Sequence, residues 1–118
     1  MPTISDEYLS RINKVLDHIE SHLDREFTLE ELASIAHFSK FHFLRIFLAM
    51  MGETPFQFLT RIRLEKAAGL LAASPHIPVT EIASQCGFSS LSLFSRTFRQ
   101  FFQRSPSDWR NAKCETRN

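Results

Sequence analysis

The residue types that most often carry chemistry are present here, but not in an arrangement that supports catalysis. His18 and His22 lie four residues apart, a spacing that can bind a metal on a helix, yet no third ligand is evident nearby. The serines lack a base and an orienting group at a recognisable spacing, and there is no glycine-rich phosphate loop. We therefore expect no enzyme activity, no cofactor and no metal, and we interpret the two histidines as solvated surface.

The start of the chain and its two cysteines indicate the compartment. Residues 1–7 lack the basic start and the apolar stretch of a secretory signal. No apolar run reaches the roughly 18 residues that cross a bilayer. We expect a cytoplasmic protein without membrane contact, in which Cys86 and Cys114 stay reduced. Cys86 should be a small core residue rather than a redox sensor.

A pattern that recurs along the chain organises the rest of the sequence. Residues 29–39 return fifty positions later as residues 79–89, with Ala33 matched by Ala83 and a Phe-Ser pair ending both segments. Beyond them the match continues at an offset of fifty-one, so one residue was inserted between the two parts. The residues that match at this second offset are Phe43 and Phe94, Arg45 and Arg96, Phe47 and Phe98, Thr54-Pro55 and Ser105-Pro106, and Phe58 and Trp109.

Capping residues and apolar spacing predict the first two helices. Helix 1 is expected over about residues 6–25. Its buried stripe should consist of Leu9, Ile12, Leu16, Ile19 and Leu23. Thr28 and Glu31 form a capping box that begins a short helix 2, which should end near His37.

The same signals predict the next two helices and the division of the chain. Ser39 should cap helix 3, and Gly52 should end it. Thr54 and Pro55 begin helix 4, which should continue to about Ala73. The buried stripe of helix 3 is expected to consist of Phe43, Phe47 and Met50, and helix 4 should continue through Phe58, Ile62 and Leu71. We divide the chain into a first subdomain (5–53), a linker helix (54–74), a second subdomain (75–112) and a flexible tail (113–118).

Each copy of the repeat has the order of a helix-turn-helix: a short helix, a tight turn at Phe-Ser and a second helix. Ala33 and Ala83 would be small because the second helix crosses closely over the first at that point. The fold should therefore be all-α, with two such subdomains joined by helix 4. That helix is about 28 Å long. It could hold the second helices of the two motifs roughly 34 Å apart, which is the distance between successive major grooves on one face of a DNA duplex. Because the copies differ, their DNA site should be asymmetric.

Charge is divided unevenly along the chain, although the net charge is only +1. Residues 1–36 carry eight acids and three bases, a net charge of −5, whereas residues 37–118 carry eleven bases and five acids, a net charge of +6. One part of the surface should repel phosphate and another should attract it. A chance unevenness of a solvated surface would give the same counts.

The second copy resembles the DNA-binding module of AraC/XylS-type transcription regulators. The residues that carry the resemblance are Ile82-Ala83, Cys86-Gly87-Phe88, Ser90, Phe94-Ser95-Arg96, Phe98-Arg99, Ser105-Pro106 and Trp109-Arg110. The stretches at 41–47, 52–54 and 61–68 are similar to members whose module precedes a GyrI-like effector domain. No such domain follows within these 118 residues, which leaves open a separate or missing effector-binding domain.

The resemblance implies seven helices, a double-stranded DNA partner and activation of transcription through contact with RNA polymerase. It also implies which side chains read bases: Lys40, Phe41, Leu44 and Arg45 on helix 3, and Ser92, Leu93, Ser95 and Arg96 on helix 6. A guanidinium can bond guanine O6 and N7 together, and apolar side chains can contact thymine methyl groups. Candidates for phosphate contact are Arg63, Lys66, Thr80 and Arg99.

Alternatives to these roles exist in the sequence itself. Arg45 or Arg96 could instead pair with an acid such as Glu81, and Phe41 could belong to the core. Two residues also depart from the family pattern. These are Leu48, where a basic residue commonly follows the Phe, and Gln103, where a helix-ending Gly is usual. The main alternative function is a helical adaptor module that binds a protein partner and no DNA.

Overall fold

The computed structural model describes the backbone of residues 5–116 and the side chains of residues 5–113. These residues form seven α-helices, so the expected all-α class is confirmed. The helices are α1 Asp6–Ser21, α2 Leu29–Ile35, α3 Lys40–Met51, α4 Pro55–Ala73, α5 Val79–Gln85, α6 Leu91–Phe102 and α7 Pro106–Thr116. Within residues 5–116, none of the helices is both long and apolar enough to cross a membrane.

Side chains cap the helices where the sequence predicted. The hydroxyl of Thr28 accepts a hydrogen bond from the backbone N–H of Glu31 at 3.1 Å. At the start of α4 the bonding is reciprocal: the Thr54 hydroxyl accepts from the Gln57 N–H at 3.1 Å, and Gln57 Oε1 accepts from the Thr54 N–H at 2.9 Å. Each bond satisfies a backbone donor that the first helical turn leaves unpaired.

Helix α1 ends at Ser21, four residues before the expected end. His22 leaves the helical conformation with φ −136°, and its Nδ1 donates a hydrogen bond to the carbonyl oxygen of His18 at 2.9 Å. That side-chain bond occupies a carbonyl at the end of the helix, so the last turn can stop there. Leu23 is still buried, but it lies beyond the helix rather than on its stripe.

The buried stripe of α1 was only partly predicted. Ile12, Val15 and Ile19 are fully buried, whereas Leu9 is 45% exposed. The spacing of three and then four residues through Val15 defines the inward face, and Leu16 lies one residue further round the helix, where it is half-buried. The expectation for Leu9 was therefore wrong.

The two helix-turn-helix motifs share one turn geometry. In the first turn, the N–H of Phe38 donates to the carbonyl of Ala33 and the N–H of His37 to that of Ser34, both at 3.0 Å. Such paired bonds close a helix through a residue in the left-handed region, which here is His37 at φ 59°. Because His37 is that residue, α2 ends at Ile35, earlier than expected.

The second turn has the same hydrogen bonds, but one additional residue lies between the turn and the next helix. The N–H of Phe88 donates to Ala83 at 3.0 Å, and Gly87 takes the left-handed position with φ 91°. The cap of α6 is Ser90, whereas the cap of α3 is Ser39, directly after Phe38. Ser89 is therefore the residue inserted between the two offsets, and Lys40 at the start of α3 corresponds to Leu91 at the start of α6.

Small residues lie at the helix crossings in both motifs. Ala33 and Ala83 are 3% and 2% exposed, and Ala36 and Cys86, one turn later, are fully buried. A larger side chain at these positions would have to displace the packed helices. This confirms the core position expected for Cys86.

The chain separates into two compact units at Thr60 and Arg61, inside α4. We call residues up to 60 unit 1 and residues from 61 unit 2. In unit 1, Phe43 and Phe47 of α3 are fully buried. The core of unit 2 consists of Leu64, Ala67, Ala68, Leu71, Ile82, Ala83, Cys86, Phe94 and Phe98.

Helix α7 is anchored to α4 by hydrogen bonds within unit 2. Trp109 Nε1 donates to the carbonyl of Ala68 at 3.0 Å. The guanidinium of Arg110 donates to three backbone carbonyls, those of Leu71 (3.1 Å), Ser74 (3.2 Å) and Ile77 (2.7 Å). These bonds satisfy carbonyls at and beyond the end of α4, where no further helical turn is available.

Helix α6 ends at Phe102 in spite of the missing glycine. Gln103 adopts the left-handed conformation at φ 64°, as Gly52 does at the end of α3 with φ 74°. The Gln103 side chain donates to the carbonyl of Gln100 at 3.0 Å, which partly compensates for the steric cost of a Cβ in this region.

Candidate nucleic-acid interface

The face of α3 opposite the core carries the predicted base-reading residues of unit 1. Phe41 is 72% exposed, and Arg45 is also exposed. Leu44 is half-buried between them, and Leu48 is 50% exposed. Phe41 and Leu44 are three residues apart, Leu44 and Leu48 four, and Arg45 lies three residues before Leu48, so all four lie on one side of the helix. The alternative that Phe41 belongs to the core is thus contradicted.

The corresponding face of α6 carries the residues predicted for unit 2. Ser92 and Arg96 are exposed, and Ser95 is half-buried. Leu93 is 38% exposed, and its carbonyl accepts a hydrogen bond from the Thr97 hydroxyl at 2.7 Å. At the offset of fifty-one, Ser92 matches Phe41, Ser95 matches Leu44, Arg96 matches Arg45 and Arg99 matches Leu48.

The two central arginines project from the same helices whose phenylalanines fill the cores. Neither Arg45 nor Arg96 has an ion pair with any side chain in the described range of residues 5–113. Glu81, the acid considered as a partner, instead accepts a 3.4 Å hydrogen bond from the Gln85 amide. Both guanidinium groups therefore retain donors for a ligand.

Lys40 is the one predicted base-reading residue that is already engaged. Its Nζ lies 3.3 Å from Glu30 Oε1 and 5.5 Å from the centre of the Phe41 ring. The pKa of Glu30 is held below its ordinary value by a hydrogen bond from its own backbone N–H and then by Lys40, so the pair is ionised at neutral pH. No pattern in the sequence predicted this contact, although Glu30 and Lys40 flank the first turn.

The four predicted phosphate-contact residues lie on three helices of unit 2. Lys66, Thr80 and Arg99 are exposed, whereas Arg63 is half-buried. Burial raises the pKa of the Cys86 thiol, while the charges of Lys66 and Arg63 act in the opposite direction. Cys86 is therefore a neutral core thiol near two cations of α4.

His18, in the last turn of α1, and His22, just after the helix, differ in their surroundings. His22 is exposed, but His18 is half-buried and lies 3.3 Å from Glu31, whose carboxylate also accepts a 2.7 Å bond from Arg25. Partial desolvation raises the pKa of Glu31. The hydrogen bond to His18 and the charge of Arg25 lower the same pKa by more, so the net shift is downward. The interpretation of His18 as solvated surface was incomplete, because Glu31 joins the ends of α1 and α2.

Comparison with known proteins shows which family has this arrangement of helices. A family described as "Helix-turn-helix domain" matches residues 32–112. A probable AraC family transcriptional regulator from Rhodopseudomonas palustris has a TM-score of 0.75 and 32% identity, covering 88% of this chain and 97% of that chain. The chain belongs to the AraC family. This is a family of DNA-binding transcription regulators and not of enzymes.

Two further proteins are similar to most of this chain. The DNA-binding domain of the global transcriptional factor AdpA, solved in complex with a target DNA, has a TM-score of 0.85 and 33% identity, covering 91% of this chain and 96% of that domain. The transcriptional activator RhaS of Klebsiella pneumoniae is 38% identical over 104 residues, which is 88% of this chain and 37% of RhaS. The chain spans less than half the length of the curated relatives it matches.

Proposed function

We propose that this chain is a sequence-specific DNA-binding module of a transcription regulator, with α3 and α6 as its reading helices. The observation that carries the proposal is the division of these helices into two faces. On each helix, two phenylalanines are fully buried while an arginine on the other face is exposed. A helix so divided can enter a major groove without losing core contacts.

In this proposal the two helices enter successive major grooves of an asymmetric site, with α4 as the linker between the two subdomains. Arg45 and Arg96 would each bond a guanine, while Phe41, Leu44 and Leu93 would contact thymine methyl groups. Lys40, Ser92 and Ser95 would complete the base contacts. Arg63, Lys66, Thr80 and Arg99 would contact phosphates, which position the duplex without reading its sequence.

The cellular setting is part of the same proposal. The chain would act in the bacterial cytoplasm, as part of a protein that activates transcription by contacting RNA polymerase. RhaS, a similar protein by sequence, is a transcriptional activator. Both alternatives stay open for an effector-binding domain, which is either separate from this chain or missing.

Selection of bound sequences from a random duplex pool tests the function directly. The expected result is one asymmetric site whose two halves differ in sequence, bound with an affinity that falls steeply as salt rises, because neutralised phosphates release counterions. Absent or salt-insensitive binding would contradict the proposal and favour the adaptor module.

Two arginines of α6 test the division between base and phosphate contacts. Arg96→Ala should relax base preference at one position of the unit 2 half-site, at a cost of about 1–3 kcal/mol for the preferred base. Arg99→Ala should weaken binding to all sequences similarly and lower the salt slope by about one. Both effects can be measured by fluorescence anisotropy on the selected duplex and its single-base variants. Identical effects of the two substitutions would refute this assignment of roles.

A further inference from the structure

The two units differ in charge at one point of their shared turn. Glu30, the second residue of α2, corresponds at the offset of fifty to Thr80, the second residue of α5. Lys40, the first residue of α3, corresponds to Leu91, the first residue of α6. Unit 1 thus has an ion pair where unit 2 has two uncharged side chains.

The ion pair borders an open hollow beside the first turn. The hollow has a volume of about 500 Å³ and is lined by Glu30, Ala33, Ser34, His37, Phe38 and Lys40. The side chains of Glu30 and Lys40 are 68% and 42% exposed, so water and a ligand can reach both charges. The ammonium of Lys40 lies 3.3 Å from the Glu30 carboxylate and over the ring of Phe41, the most exposed aromatic ring described on α3.

In this arrangement Glu30 weakens the binding of a polyanion in two ways. Its carboxylate forms an ion pair with the Lys40 ammonium, so this ion pair must break before Lys40 can contact DNA. The same carboxylate repels phosphate at the position where unit 2 has Thr80, a neutral hydroxyl that was predicted to contact phosphate. Exposed ion pairs are weak, so a DNA duplex can displace Glu30, but the displacement reduces the affinity gained.

We propose that Glu30 is an affinity-determining residue of the DNA interface, which restrains Lys40 in the free protein and weakens the binding of unit 1 to its half-site. The inference rests on the proposed DNA-binding function. In this arrangement unit 2 supplies most of the electrostatic attraction to DNA. Unit 1 contributes selectivity, because Lys40 leaves Glu30 only for a duplex whose contacts with Lys40 compensate for the lost ion pair.

Neutralising the carboxylate tests the proposal. Glu30→Gln should tighten binding to the selected duplex by about three- to tenfold at low salt, and the slope of log K against log salt should become steeper by up to about one. Glu20→Gln, which removes the same charge from an exposed position of α1, is the matched control and should change affinity by less than twofold. Equal effects of the two substitutions, or no gain with Glu30→Gln, would overturn the proposal.

A second background separates the restraint on Lys40 from general repulsion. In a Lys40→Met chain, Glu30→Gln should improve affinity less than it does in the unmodified chain, because only the repulsion between the carboxylate and phosphate remains to be removed. The same gain in both backgrounds would show that Glu30 does not act through Lys40. Thermal unfolding of all variants checks that each is folded, since Glu30 also lies in the first turn of α2. If the unmodified chain binds no duplex, the proposed function fails; if it binds and Glu30→Gln is neutral, only this inference fails.

Discussion

The exposed face of α3 in unit 1 carries Phe41 and Leu48, whereas α6 in unit 2 carries Ser92 and Arg99 at the matching positions. The turns that precede these helices have the same backbone hydrogen bonds. Unit 1 has nine acids and five bases, and unit 2 has nine bases and four acids. The comparison shows that the buried pattern and the turn were kept in both copies while the solvent-facing residues diverged. The copies should therefore share folding energetics but differ in how they contact DNA.

The largest expected effects concern the cores, which should contribute equally to the stability of the two units. Phe47→Ala and Phe98→Ala should each lower the free energy of unfolding by about 3–5 kcal/mol, because both rings are fully buried at matching positions. Phe41→Ala is the control and should change stability by less than about 0.5 kcal/mol, since Phe41 is 72% exposed. Urea denaturation measures all three. A loss in one unit much smaller than in the other would break the comparison.

The next largest effect on the free energy of unfolding is expected at Arg110, where the two units differ. Its three hydrogen bonds to backbone carbonyls have no counterpart at Leu59, the matching position in unit 1. Arg110→Met should cost about 2–3 kcal/mol, because the carbonyls lose a charged donor while the stem is largely retained. Leu59→Met should cost less than about 1.5 kcal/mol. Similar losses in the two variants, measured by urea denaturation, would argue against anchoring by the guanidinium.

The ends of α3 and α6 test a smaller difference. Gln103 and Gly52 share a left-handed conformation, which a residue with a Cβ adopts at a steric cost. Gln103→Gly should stabilise unit 2 by up to about 1 kcal/mol, and Gly52→Ala should destabilise unit 1 by about 1 kcal/mol. A Cβ at Gly52 would meet no atom within 4 Å, so the second effect would come from the backbone alone. Changes of the same sign in thermal unfolding would contradict this account.

The acid dependence of Glu31 gives the smallest expected effect. Its pKa in the folded protein is below the ordinary value, so its contribution to stability is present above about pH 4 and is lost as pH falls through the folded pKa. Glu31→Gln should therefore lower the melting temperature at pH 7, and the difference should shrink as pH falls through the folded pKa of Glu31. Glu81→Gln, the match in unit 2, should have a smaller effect, because Glu81 accepts from a neutral amide. A Glu31→Gln difference that does not shrink as the protein is acidified from pH 7 would contradict this role of the carboxylate.

Much of the site could be predicted because the repeat constrains it. The offset of fifty-one pairs Phe43 with Phe94 and Arg45 with Arg96, and it therefore separates the inward and outward faces of α3 and α6 before any coordinates are known. The ion pair of Glu30 with Lys40 could not be found in this way, because the two residues are ten positions apart and unit 2 has no such pair. Comparing charges at equivalent positions of the two copies would have been the signal to look for.

The sequence by itself determined where most helices begin and where α3 ends. A capping hydroxyl or a left-handed glycine acts on backbone groups within about four residues, so local sequence is sufficient for these features. Only the tertiary structure decided that Leu9 is exposed and that Arg110 binds the carbonyls after α4. These outcomes depend on segments far apart in the chain packing against one another, and the free energy of such packing is not encoded in any short window of residues.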